Sequence, residues 1–99
     1  MYTIKTTGQF KKDVKRCQKR GYDMSLLRNA LSILAETGTL PDSYYPHKLT
    51  GDYKVHWECH LQPDWLLIWK KYGKTLTLTM TDTERILIYM GSNYLNLIK

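Results

Sequence analysis

The side chains best suited to chemistry gather in the second half of the chain. His47, His56 and His60 are accompanied there by Lys48, Lys54, Glu58 and Asp64. Imidazole gains and loses a proton near neutral pH, and a cation beside it stabilises charge developing on a phosphate. Proton transfer at a phosphate ester is therefore the chemistry on offer. By themselves such residues more often form an ordinary solvated strand face.

Other chemistries find less support. His56 and His60 are four positions apart on what reads as a strand, a separation of roughly 13 Å at about 3.3 Å per residue. They cannot chelate one ion together, and adjacent Cys59 and His60 point to opposite faces, so no metal and no cofactor is expected. No Ser or Cys stands in a nucleophile motif, and no glycine-rich phosphate cradle exists. Cys17 and Cys59 read as buried small hydrophobes rather than a disulfide.

The elements that must position these groups follow from periodicity. Residues 2–6 alternate Tyr2 and Ile4 against Thr3 and Lys5, a short strand. Thr6 or Thr7 caps a helix running to about Arg20, which Gly21 stops. Phe10, Val14 and Cys17 form its apolar side. Lys11, Lys12, Lys15, Arg16, Lys19 and Arg20 crowd the remainder, either as a solvated face or as a phosphate-facing patch. Asp23 caps a second, core-facing helix from Met24 to about Glu36, closed by Gly38. The short link between the helices implies an antiparallel hairpin. Residues 40–52 are an irregular loop carrying Tyr44, Tyr45, His47 and Lys48. Three strands follow. The first alternates Tyr53, Val55, Trp57 and Cys59 against Lys54, His56, Glu58 and His60. The second, residues 65–69, is apolar throughout, as in a central strand covered on both faces. The third alternates Leu76, Leu78 and Met80 with threonines. The expected fold is α+β: strand, helix hairpin, then an antiparallel meander (β-α-α-β-β-β), with the helices on one face of the sheet.

Ninety-nine residues make one domain, and an apolar content of 42% supplies a core. Fifteen Lys and Arg against nine Asp and Glu give a net charge of +6, a field that attracts nucleic acid, an anionic membrane or an acidic protein. The apolar runs at residues 65–69 and 86–90 are too short to span a bilayer. The first residues show no secretion signal, so a cytoplasmic location is expected.

His47-Lys48-Leu49-Thr50-Gly51 is followed by Trp57-Glu58-Cys59-His60-Leu61-Gln62-Pro63-Asp64-Trp65-Leu66-Leu67-Ile68-Trp69. This pair of motifs resembles the YafQ branch of the RelE/ParE toxins, in which H-x-L-x-G precedes H-x-x-P-D-W. The likeness extends through Gln9-Phe10-Lys11-Lys12-Asp13 and the helix pair, and covers residues 1–83. It implies a toxin that enters the ribosomal decoding site and cuts messenger RNA by attack of the RNA's own 2′-OH, without a metal. His47 and His60 match family histidines implicated in proton transfer. Asp64 matches the supporting aspartate, and Trp65 the neighbouring aromatic. The basic helix, with Lys48 and Lys54, then reads as an RNA footprint, and a cognate antitoxin is the second partner.

The ending departs from the family. Asp82-Thr83 fits D-T-G-T-H-S-D-L-F, but Ile86 stands where the family places a catalytic histidine. One permitted choice of codons for residues 84–90 (GAA CGC ATT CTG ATT TAT ATG), with one G restored before them, reads Gly-Thr-His-Ser-Asp-Leu-Tyr. Residues 84–99 are therefore expected to be a frameshifted tail that weakens the toxin, natural divergence being the alternative, and their apolar stretch invites an extra strand or self-association. Two rivals remain: a non-cleaving module that binds antitoxin or ribosome, and a ParE-like gyrase inhibitor, which H-x-x-P-D-W disfavours.

Overall fold

The computed structural model describes residues 1–49 and 56–81. Lys54, Ile86 and the whole segment 84–99 lie outside them, so the expectations about the tail are not addressed by the described structure.

Helix α1 (Gly8–Lys19) follows strand β1 (Thr3–Thr6), and helix α2 (Met24–Thr37) follows α1. Both start where side-chain oxygens replace the missing carbonyl partners of a first turn. Thr7 Oγ1 accepts from the Phe10 amide at 3.0 Å, and Asp23 Oδ1 accepts from the Ser25 amide at 3.1 Å. The Ser25 hydroxyl also donates to Asp23, and these two bonds hold the Asp23 carboxyl below the usual carboxylate range. At its far end α2 is closed by Gly38 at φ 74°, whose amide donates to Leu34 O at 2.8 Å. A Cβ at Gly38 would overlap the Tyr2 ring, so both the backbone angle and the close approach require glycine.

Five strands form one mixed sheet in the order β1-β5-β4-β3-β2. Strands β3 (His56–Gln62), β4 (Trp65–Tyr72) and β5 (Thr75–Met80) are the expected antiparallel meander. Strand β1 joins it beside β5 in parallel, Ile4 opposite Leu76. The apolar run of β4 lies at the centre, with residues 65–69 all at most 2% exposed. A two-residue strand, β2 (His47–Lys48), ends the sheet beside β3. The sequence reading had no strand there, because two residues carry no periodicity.

Both helices cover one face. Phe10, Cys17, Leu27, Ala30 and Leu34 form a single cluster with Cys59, Leu61, Trp65, Leu67, Trp69, Leu76 and Leu78. Burial of this apolar surface, worth about 25 cal/mol per Å², is what holds the layers together. Helix α1 buries Asp13 where only apolar residues were expected, and Val14 is only partly buried. Asp13 Oδ2 accepts from the Thr81 amide at 3.2 Å, and its Oδ1 accepts from Gln9 Nε2 at 2.8 Å. Thr81 is held from other sides too. Its carbonyl accepts from Cys17 Sγ at 3.3 Å, and its hydroxyl accepts from Trp65 Nε1 at 3.0 Å while donating to Leu66 O at 2.8 Å. Every polar atom of Thr81, just past β5, is thereby matched in a dry environment, where an unmatched one would cost about 1–3 kcal/mol.

Candidate functional site

Strand register creates the site. In the antiparallel pairing of β2 with β3, His47 stands opposite Glu58. His60 is two residues beyond Glu58, so its side chain leaves β3 on the same face. Cys59 and Leu61, between and beyond them, point to the helices. The histidine cluster therefore occupies the sheet face opposite the helix layer.

His60 Nε2 lies 3.1 Å from Glu58 Oε1. The Glu58 side chain is fully buried, whereas that of His60 is 25% exposed. A ligand atom from each of His47, Glu58 and His60 falls within 4.8 Å of the other two. The two imidazole rings are 6.4 Å apart and nearly perpendicular. A buried carboxylate against an imidazole that reaches solvent fixes the ring's orientation, an arrangement suited to moving a proton.

A cavity of about 500 Å³ opens in front of the two histidines. Ser43 and Tyr45 line it from the short 3-10 turn (Asp42–Tyr44) and the residue after it. Gln62 and Pro63 line it from the β3–β4 turn. Strand β2 is kept against β3 by a bond from the Leu49 amide to His56 O at 2.9 Å, with the Leu49 side chain buried. That contact is what brings the loop's histidine to the strand.

The residues expected at the site divide into three groups. His47 and His60 are brought together, whereas Lys48, exposed and opposite Trp57, alternates to the other face of the sheet. Asp64 is exposed in the β3–β4 turn beside Pro63 and is not among the described residues lining the cavity. Trp65 is a correction to the expected cluster. It is 0% exposed on the helix face, its ring 4.9 Å from that of Tyr22 and its N–H bonded to Thr81, so it stands in the core, across the sheet from the histidines. The basic helix lies on that far side as well. Lys11, Lys12, Lys15, Lys19 and Arg20 are exposed on α1, while Arg16 is partly buried with its guanidinium 3.9 Å from Asp13.

Glu58 lies on the strand face that the alternation predicts and joins the two histidines there. An alternating charged residue looks solvated, and only the folded chain shows that it is fully buried. The strand spacing that argues against a metal concerns His56 and His60, whereas His47, Glu58 and His60, drawn from two strands, form a group that could hold an ion.

A model of the bacterial toxins of type II toxin-antitoxin systems named YafQ matches residues 2–89. The chain belongs to the YafQ toxin family. It is 40% identical over 85 residues to the mRNA interferase toxin YafQ of Escherichia coli K12, covering 85% of this chain and 92% of that protein. The solved E. coli DinJ-YafQ complex superimposes with a TM-score of 0.80 at 38% identity, covering 88% of this chain and 98% of that one. A metal-bound toxin from Helicobacter pylori superimposes with a TM-score of 0.78 at 37% identity, over 88% and 99% of the two chains. The YafQ match thus spans both motifs and the full described sheet. Among the described residues no helix is long and apolar enough to cross a membrane.

Proposed function

We propose that this chain is a ribosome-dependent mRNA endonuclease of the YafQ type, weakened by the residue at position 86. The observation that carries the reading is the convergence of His47, Glu58 and His60 within 4.8 Å at the mouth of a cavity. In the proposed reaction one imidazole accepts the proton of an RNA 2′-OH as that oxygen attacks the adjacent phosphorus. The bond from phosphorus to the 5′-oxygen of the next nucleotide breaks, and that oxygen takes up a proton, leaving a 2′,3′-cyclic phosphate and a 5′-hydroxyl. Glu58 is shielded from RNA and acts through His60, as a positioning residue. The exposed lysines of α1, on the other side of the sheet, suit contacts with ribosomal RNA rather than with the cleaved strand.

General acid–base assistance is typically worth about 10²–10⁴-fold. Ile86 cannot transfer a proton, so a family toxin with isoleucine there cleaves slowly. Residues 1–83 form the toxin domain in this reading and residues 84–99 a frameshifted tail open to self-association. The protein works in the cytoplasm, where an antitoxin of the DinJ kind is its second partner. The deciding experiment compares cleavage of ribosome-bound mRNA by this chain and by a version ending Gly-Thr-His-Ser-Asp-Leu-Tyr from position 84. Cleavage by the restored version alone supports the whole reading. Equal cleavage by both removes the claim about position 86. Cleavage by neither replaces the enzyme with a module that only binds antitoxin or ribosome. The nucleotide sequence at codon 84 tests the frameshift directly.

The same three residues favour a second reading, a site for a transition metal ion. Two imidazole nitrogens and a carboxylate oxygen suit zinc or copper(II), and three protein ligands leave a position open. A bound ion there would polarise a phosphate oxygen. It would also claim the lone pairs that proton transfer needs. Zinc titration followed by thermal melting and by cleavage separates the cases. Stabilisation with loss of cleavage marks an inhibitory site, and no stabilisation removes the reading.

A further inference from the structure

Tyr45 is the one non-glycine residue among those described with a positive φ, at 51° with ψ 54°. A left-handed backbone is uncommon for a bulky side chain and costs about 1–2 kcal/mol per residue. The ring gains little from burial in return, since Tyr45 is 65% exposed. Strain without a packing reward points to a role in binding. What the conformation achieves is placement. The Tyr45 ring stands 6.2 Å from the His60 ring and nearly perpendicular to it, on the wall of the cavity. Pro63, Gln62 and Ser43 complete that wall.

We propose that Tyr45 is a stacking platform for the unpaired base next to the scissile phosphate, and that the Tyr45–Pro63 cavity is the base subsite. The inference rests on the RNA-cleaving reading of His47 and His60. An exposed aromatic beside a proton-transfer group is how single-stranded RNA is held without sequence readout, because every base offers a π-face. Pro63 adds an apolar surface to the same lining. Gln62 and the Ser43 hydroxyl offer hydrogen bonds to base edges, which gives the subsite a means of preferring some bases. A cavity of about 500 Å³ lies within the range of about 300–1,000 Å³ found for small-ligand sites, and accommodates a base with its sugar.

The test is a cycle between one protein side chain and one base. The probe is a single-stranded RNA hexamer made uncleavable by a 2′-O-methyl group at one nucleotide, with a twin that is abasic at that nucleotide. Binding to native, Tyr45→Phe and Tyr45→Ala chains is followed by fluorescence anisotropy. Base–aromatic stacking corresponds to about 5- to 150-fold in affinity. Native protein and Tyr45→Phe should bind the intact hexamer better than its twin by a factor in that range. Tyr45→Ala should bind both as weakly as native protein binds the twin. A Tyr45→Gly variant adds a second readout, a melting temperature unchanged or raised with the same loss of binding, because glycine relieves the backbone. The proposal is overturned if Tyr45→Ala keeps native affinity, or if it still discriminates against the abasic twin. It is also overturned if Tyr45→Gly melts lower while binding normally, the signature of a structural tyrosine. A native chain that binds neither hexamer, and cleaves no ribosome-bound mRNA even with the restored ending, overturns the nuclease reading instead.

Discussion

Glu58→Gln separates the positioning role from a structural one. The substitution keeps shape and hydrogen-bonding capacity and removes only the charge. Glu58 Oε1 is 3.1 Å from His60 Nε2, and the carboxylate is fully buried, so no solvent takes its place. Two unit charges about 4 Å apart attract by about 4 kcal/mol at the effective dielectric of about 20 that suits groups near a protein surface. A glutamine dipole retains part of that, leaving a loss of about 2–4 kcal/mol whenever His60 becomes positive during the reaction. That corresponds to about 30- to 1,000-fold in rate. The fold should not suffer, because taking a charge out of a buried site is often neutral or stabilising. The assay is cleavage of ribosome-bound mRNA in the version with the restored family ending, beside a thermal melt. Glu58→Gln should lose rate within the stated range at an unchanged or higher melting temperature. Because Glu58 acts through His60, the double variant with His60→Gln should be no slower than His60→Gln alone. A Glu58→Gln enzyme within about threefold of its parent, or strictly additive losses, would refute the positioning role.

Other expectations concern the frame. Gly38→Ala meets both a left-handed backbone and the Tyr2 ring, and should destabilise by at least about 1–2 kcal/mol in urea melts. Trp65→Phe keeps the ring in the core and deletes its bond to Thr81. A loss of about 1–3 kcal/mol is expected, and a melt unchanged from native would contradict it. Burial, and secondarily the neighbouring Glu58 charge, push the Cys59 thiol well above its ordinary value. Ellman's reagent should therefore leave Cys59 untouched in native protein at pH 8 and label it only after unfolding. Charge reversal at Lys11, Lys12 and Lys15 should weaken ribosome association and flatten its salt dependence. Binding of the short hexamer should change far less, since these lysines lie across the sheet from the histidines.

Much of the frame was legible because its signals are local. Thr7, Asp23 and Gly38 mark helix ends within a few residues of the bonds they make. The alternation around Leu76 and Leu78 reports the buried face directly. The residues that escaped are those whose partners are distant in sequence. Asp13 looks like one more charge on a polar helix until Thr81, 68 positions away, is set against its carboxylate. Glu58 looks solvated until a two-residue strand with no periodicity of its own is paired to it. The same pairing turns three scattered ligands into a set, which spacing along one strand could never indicate. Trp65 shows the opposite error: next to Asp64 in the motif, it is carried to the other face by the strand's period of two.

The site is assembled across an unequal pair of elements. His60 and Glu58 sit on a strand whose neighbour is the fully buried centre of the sheet, whereas His47 hangs on two residues at the sheet's end among the described residues. Such an end opens in local fluctuations long before the whole domain melts. Separating β2 from β3 takes His47 away from Glu58 while the core remains intact. Cleavage should thus disappear on warming below the global melting temperature, and reversibly. Amide exchange should show Leu49 losing protection earlier than Leu67. With His47 acting as proposed, a small toxin would carry a thermal cutoff of its own, set by one edge of its sheet rather than by the stability of the fold.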